Sequence, residues 1–240
     1  MEFKTLIKKG LSQLHIDLTR NMHYDRLTWQ IMDRTIKPGS NCIDIGCHKG
    51  EVLDRMVKLS PNGTHFAFEP IPLYFHKLRS RFNGNVSIYP YALSGSNGEA
   101  EFQFVKNAPA YSGLKMRKYD IKNPDIEAIR VVKKRLDDVI PETLVIHFIK
   151  LDVEGGEYDV LQGARRILEK QKPVVVFESG LGASEFYGTK PEELFTYLVT
   201  ELGFKISLLK DFILKKPALE KEKFLTVYRT AEEYYFVAHP

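Results

Sequence analysis

The chain has 240 residues, enough for one α/β domain with a full core or for two small domains. Hydrophobic residues make up 43% and charged residues 28%, which excludes a disordered or fibrous chain. A net charge of +4 is too mild to indicate nucleic-acid binding, no apolar run reaches the ~18 residues of a membrane span, and two cysteines cannot build a disulfide framework.

Cys42 and Cys47 are read as reduced thiols of a cytoplasmic protein. The lysine-rich start lacks the apolar stretch and cleavage site of a signal peptide. Residues 1–37 are expected to form a helical segment packed on the core. Phe3, Leu6, Ile7, Leu11 and Leu14 recur at helical spacing, and Trp29, Ile31, Met32 and Ile36 add apolar positions. Pro38-Gly39 breaks the helix, and residues 38–240 are expected to form a single domain. Strands and helices then alternate. A strand at 41–45 leads to a helix at 50–59, a strand at 64–69, a helix at 72–83 stopped by Asn83-Gly84, and a strand at 85–90. The rhythm resumes with a strand at 145–152, a helix at 156–170, a strand at 173–178 and a helix at 191–202 stopped by Gly203. A strand at 204–208 and a short aromatic strand at 234–238 complete it. This alternation predicts a mainly parallel sheet covered on both faces. Residues 94–140 depart from it, with turn signals at 94–98, strand-like runs at 99–106 and 128–134, and a loop at 107–113. They are read as a β-hairpin-like insertion. The lysine- and glutamate-rich stretch 209–232 carries no functional signal.

The segment Asn41-Cys42-Ile43-Asp44-Ile45-Gly46-Cys47-His48-Lys49-Gly50 is a strand running into a glycine turn, with a helix after it. Glycines there admit positive φ and let a ligand approach the backbone. The dinucleotide fingerprint needs three glycines in tighter spacing, and a P-loop must end in Gly-Lys-Ser or Gly-Lys-Thr. Here Gly50 is followed by Glu51, whose charge would repel a phosphate at a helix start. The loop therefore points to a nucleoside without phosphates. An adenosyl group with a sulfonium and an amino-acid tail fits it. Glu69 ends the next strand about 20 residues on, where such folds set a carboxylate on ribose hydroxyls. Asp44 and Glu69 can meet the ammonium or ribose ends. Asp152 and Glu178 end two later strands, and Glu154 follows the first of them. Three carboxylates along one rim suit general-base catalysis or metal binding. Lys150 with Asp152, Glu154 or Glu178 reads as an ion-pair group. A divalent metal is not favoured, because Asp152 and Glu178 show no third ligand. His65 and His147 read as structural strand residues, since no ligand-spaced partner accompanies them.

Taken in order, Ile-Asp-Ile-Gly…Gly, Phe68-Glu69-Pro70, Tyr91-Ala92-Leu93-Ser94, Ile149-Lys150-Leu151-Asp152-Val153-Glu154-Gly155, Glu157 and Leu161-Gln162-Gly163-Ala164 resemble the FkbM family of S-adenosylmethionine-dependent methyltransferases. The resemblance runs from about residue 22 to about residue 208. It implies a three-layer Rossmann-like fold whose mainly parallel seven-stranded sheet has its last strand antiparallel. It also implies methyl transfer to a hydroxyl of a sugar, glycan or glycosylated metabolite. By the same resemblance Asp44, Gly46 and Gly50 line the methionine side of the cofactor and Glu69 takes the ribose. Ala92 and Leu93 lie near adenine, and Asp152 lies near the reacting methyl. Cys47, His48 and Pro70 complete the expected cofactor-binding set. The family's Gly-Ala-Asn-x-Gly loop is here Gly46-Cys47-His48-Lys49-Gly50, so His48 stands where an asparagine is usual. Candidate bases are Asp152, Glu154 and Glu178, with His48 behind them, since a sugar hydroxyl has a high pKa. The acceptor is expected at the 107–119 and 179–190 loops, where Tyr111, Tyr119, Phe186 and Tyr187 offer aromatic faces. An amine or carboxylate acceptor, a non-catalytic cofactor-binding scaffold and a nucleotide-dependent oxidoreductase are the alternatives. The missing third glycine disfavours the last. The oligomeric state is left open, a homodimer among the options.

Overall fold

The computed structural model describes residues 20–240, so the stripe expected at Phe3, Leu6, Ile7, Leu11 and Leu14 lies outside the described residues. Helix α1, Arg20–Thr35, buries Tyr24, Leu27, Thr28, Ile31 and Met32, a stripe at three- and four-residue spacing. Then come β1 (Cys42–Ile45), α2 (Glu51–Leu59), β2 (His65–Phe68), α3 (Pro72–Arg81) and β3 (Val86–Tyr89). Every residue of β1 and β2 is buried, as a parallel strand covered on both faces requires. Strands β4 (Tyr91–Leu93), β5 (Gly98–Val105) and β6 (Ile126–Lys134) and a single turn α4 (Leu136–Val139) follow. The main sheet resumes with β7 (Phe148–Leu151), α5 (Glu157–Gly163), α6 (Arg165–Gln171), β8 (Val174–Glu178) and α7 (Pro191–Phe195). Strand β9 (Lys205–Leu208), α8 (Leu209–Ile213), α9 (Lys221–Arg229) and β10 (Tyr235–His239) close the chain.

The seven-stranded sheet has the order β3-β2-β1-β7-β8-β10-β9. All its neighbours pair in parallel except β10, which runs antiparallel to both β8 and β9. The strand order reverses between β1 and β7, and ligands of open α/β sheets bind outside the carboxyl ends of the strands at such a switch point. In that register Asp44 stands beside Lys150. The chain therefore delivers Gly46 and Asp152 side by side just past the two strands.

One core layer joins Ile43, Ile149, Val175 and Phe236 to residues of α5, α6 and α9. The other joins Cys42, Phe148, Val176 and Val237 to α1 and α8. Adjacent strand residues thus face opposite layers, the period-2 alternation of a strand.

The insertion carries the expected hairpin-like pair, β5 antiparallel to β6, and β4 adds to β6 in parallel, making a three-stranded sheet β4-β6-β5. Three residues are too few to show a period, so β4 reads only as a motif. Two helices differ from expectation. The helix expected at 156–170 is two, α5 and α6, broken at Ala164 with φ −108 and ψ 14. Gly163 sits there because a Cβ would come 2.2 Å from the Ser94 carbonyl oxygen. The helix expected at 191–202 stops at Phe195 and continues as a wider π-type turn over Thr196–Glu201. The stretch 209–232 folds as α8 and α9, which bury Ile213, Phe224, Val227 and Tyr228.

Candidate active site

Two clefts meet over the ends of β1 and β7. The first is lined by the ends of β1 and β2, by β4 and by the insertion, with about 830 Å³ of empty space open on one side. Its walls include Gly46, Glu69, Pro70, Ala92, Leu93 and Tyr187. The second, of about 900 Å³, is bounded by α1 and the glycine loop and includes Thr28, Asp44, Cys47, Lys150 and Tyr235. Gly46, His48 and Asp152 line both.

The glycine loop is built for close approach. Gly46 has φ +76, and a Cβ there would lie 1.8 Å from the Asp152 backbone oxygen. Gly50 has φ +74, and its Cβ would meet Leu78 at 2.5 Å, so α3 packs directly on the loop. His48 also takes a left-handed conformation, φ 44, and its ring packs on Tyr74 at 4.4 Å. Burial and then Lys49 lower the His48 pKa, so the imidazole is neutral at neutral pH. Cys47 is a buried free thiol pushed well up by burial and the charges of Asp44 and Glu69, which leaves it unreactive.

Asp44 is 2% exposed, and its Oδ2 has no partner. Burial pushes its pKa to about 7 against the opposing pull of Lys150. A buried, unsatisfied carboxylate oxygen in a cleft wall is what an entering cationic group would satisfy. Glu69 is held differently. Its Oε2 accepts from the His48 N–H at 2.8 Å and its Oε1 from the Ile71 N–H at 2.9 Å. Those bonds oppose the burial that carries it to about 7, and they fix the carboxyl against the first cleft with lone pairs to spare for hydroxyl donors. These two carboxylates are acceptors of the kind that an adenosyl sulfonium, with its ribose hydroxyls and ammonium, would satisfy. Pro70, Ala92 and Leu93 supply the apolar wall beyond Glu69.

Asp152 lies where the clefts join. Its Oδ2 accepts from the Tyr235 hydroxyl at 2.5 Å and from Lys150 Nζ at 3.0 Å. Burial would raise its pKa, but Lys150 and the hydrogen bonds from Tyr235, Lys150 and Glu178 outweigh it and hold Asp152 below the ordinary carboxylate range. Glu178 is pushed well up, by burial first and then by the charge of Asp152. Within the pair the environment thus favours the proton on Glu178 and the charge on Asp152. Glu178 lines neither cleft. Glu154 lies on the wall of the first cleft, with φ +60, and is paired with Arg117.

Carboxylate oxygens of Asp152, Glu154 and Glu178 lie within 4.8 Å of one another. This corrects the expectation that Asp152 and Glu178 lack a third ligand, because the left-handed turn at Glu154 brings its carboxylate back over the strand end. Arg117 and Lys150 already balance the cluster, and no metal is assigned to it. His65 and His147 serve the sheet: His65 Nε2 pairs with the Ser60 carbonyl and His147 Nδ1 with the Asn41 N–H.

Tyr235 has no role predicted from sequence; its register opposite Glu178 aims its hydroxyl at Asp152. The only signal was an aromatic pair opening a strand. Tyr187 is expected among the acceptor aromatics. In the structure Tyr187 joins three loops: its hydroxyl accepts from the Lys115 N–H at 3.1 Å, and Cβ atoms on Gly113 and Gly155 would each meet it at 2.9 Å.

The chain is similar to the 2-O-methyltransferase NoeI of Sinorhizobium fredii, 28% identical over 162 residues covering 60% of this chain and 65% of that protein. It is 26% identical over 141 residues to Methyltransferase 1 of Beauveria bassiana, covering 50% and 57%. The chain thus spans less than two thirds of the length of either relative. A solved precorrin-6y C5,15-methyltransferase from Geobacter metallireducens superposes with a TM-score of 0.41 and 14% identity over 76% of this chain and 72% of that one. The methyltransferase FkbM domain matches residues 44–206, from the aspartate of the glycine loop to β9, and the chain belongs to that family.

Proposed function

We infer that the protein is an S-adenosylmethionine-dependent O-methyltransferase whose acceptor is a hydroxyl of a sugar or sugar-bearing small molecule. The observation that carries this reading is the junction of the clefts. Two clefts, marked by Glu69 on one side and the unpartnered Asp44 oxygen on the other, meet at a carboxylate held in its charged form, Asp152. The name of the Sinorhizobium relative favours oxygen as the acceptor atom.

The bound cofactor would supply a methyl group already activated by its sulfonium. What falls to this chain is alignment, worth ~7–11 kcal/mol of barrier in well-oriented systems, and management of the acceptor proton. Lys150 and Tyr235 fix the Asp152 carboxylate in position. Asp152 can accept a hydroxyl proton because Glu178 already carries the pair's other proton. Glu154, held by Arg117, and Tyr187 close the wall of the first cleft around the acceptor.

Calorimetry with S-adenosylhomocysteine is the first test. Binding by the wild type and its loss in Glu69→Ala is the expected result. Labelled methyl from S-adenosylmethionine should then pass to saccharides and not to amines. Absence of cofactor binding, or transfer to amines alone, would refute the reading.

A further inference from the structure

Seven large apolar side chains are exposed among the described residues, and three of them, Met116, Leu181 and Phe186, sit on two loops beside the first cleft. The loops are stitched together. The Lys118 N–H donates to the Gly182 carbonyl at 3.3 Å, and the Lys115 N–H to the Tyr187 hydroxyl at 3.1 Å. The exposures are 60% for Met116, 51% for Leu181 and 46% for Phe186, high enough that none is part of a core. Lys115 and Lys118 flank Met116 and are exposed, and neither carries an ion pair. Arg117, between Met116 and Lys118, turns inward and pairs with Glu154. Lys115 Nζ lies over the Tyr187 ring, 5.4 Å from its centroid, so the run 115–118 presents Met116 and the Lys118 charge outward, sets the Lys115 charge at the edge of the cleft wall, and is anchored inward by Arg117.

We propose that this rim, with Met116, Leu181 and Phe186 as inserting side chains and Lys115 and Lys118 as cationic flanks, docks the protein on an anionic lipid bilayer with the mouth of the first cleft facing the membrane. Three side chains cover far less than the ~800 Å² per partner of a stable protein interface, and unpaired lysines would repel one another across a two-fold axis. A bilayer asks for less. A few apolar groups enter the headgroup boundary while lysines meet anionic headgroups. The acceptors reached from this face would be those presented at the membrane surface, a statement that rests on the methyltransferase reading. The docking itself does not.

The full chain should co-sediment with vesicles of phosphatidylcholine and phosphatidylglycerol and not with phosphatidylcholine alone. High salt should weaken the binding. Met116→Ser with Leu181→Ser and Phe186→Ser, and separately Lys115→Glu with Lys118→Glu, should each cut the bound fraction at least about tenfold while melting temperature stays at the wild-type value. If the triple variant does not fold, Phe186→Ser and Lys118→Glu alone should each give a partial loss. No vesicle binding, binding that none of these variants reduces, or a dimer in sedimentation velocity that the triple variant dissolves would overturn the proposal. Cofactor calorimetry on the same samples tests the methyltransferase reading independently.

Discussion

Glu157→Gln isolates the cost of one buried charge. Glu157 is 1% exposed, its Oε1 accepts from the Val153 N–H at 2.9 Å and the Gly155 N–H at 3.1 Å, and its Oε2 has no partner. Burial carries the carboxyl from the ordinary 4.5 to about 7. The folded state therefore holds this proton more tightly than the unfolded chain, and the resulting stability is complete below 4.5 and lost as pH rises through about 7. The full displacement corresponds to about 3 kcal/mol. Glutamine keeps the acceptor that both loop amides need and removes the charge. Between about pH 5 and about pH 8 the variant should gain roughly 2–3 kcal/mol on the wild type, or about 5–10 °C in melting temperature. Scanning fluorimetry of both proteins across that range measures it. Parallel melting curves at every pH would show that Glu157 carries no buried-charge penalty and would refute the reasoning.

Three further outcomes are expected. Tyr235→Phe removes a donor to a charged carboxylate, worth about 1.5–3 kcal/mol, and should lower kcat ~10- to 100-fold with little change in KM for S-adenosylmethionine; an unchanged kcat would remove Tyr235 from the site. Asp44→Asn should weaken S-adenosylhomocysteine binding about tenfold or more by calorimetry. The same change should raise the melting temperature of the free protein above about pH 7, because the wild-type charge is buried there without a partner for Oδ2. Gly46→Ala forces a Cβ to 1.8 Å from the Asp152 oxygen at φ +76, so thermal unfolding should reveal a loss above about 2 kcal/mol and calorimetry a loss of cofactor binding.

The main sheet was legible because its strands are short buried runs cut by unambiguous signals: Pro38-Gly39, Asn83-Gly84 and Gly203 each fall where an element stops or starts. The glycine loop was legible for a related reason, since Gly46 and Gly50 both take positive φ and have no room for a side chain. What stayed hidden depends on contacts across long separations. The break at Ala164 is set by Gly163 against Ser94, and nothing local announces it. Glu154 follows β7 in the sequence, and nothing local shows that a left-handed backbone, φ 60, brings its carboxylate beside those of Asp152 and Glu178. Strand β4 owes its identity to pairing with β6, about 40 residues away in the chain.

The position of Asp152 shows why the antiparallel last strand matters to the chemistry. A carboxylate at the end of β7 is, by itself, a buried charge whose desolvation would protonate it. Lys150 lies two residues back on the same strand, but it also faces Asp44 and so cannot be assigned to Asp152 alone. Strand β10 runs back between β8 and β9, and this reversal brings Tyr235 level with Glu178 and its hydroxyl onto the Asp152 oxygen that Lys150 also reaches. A parallel strand in that slot would present its amino end at the opposite edge of the sheet. The reversal of β10 thus supplies the donor that keeps Asp152 charged, and β8 supplies the acid that carries the neighbouring proton. The charged carboxylate at the cleft junction is a property of three strands from separate parts of the chain.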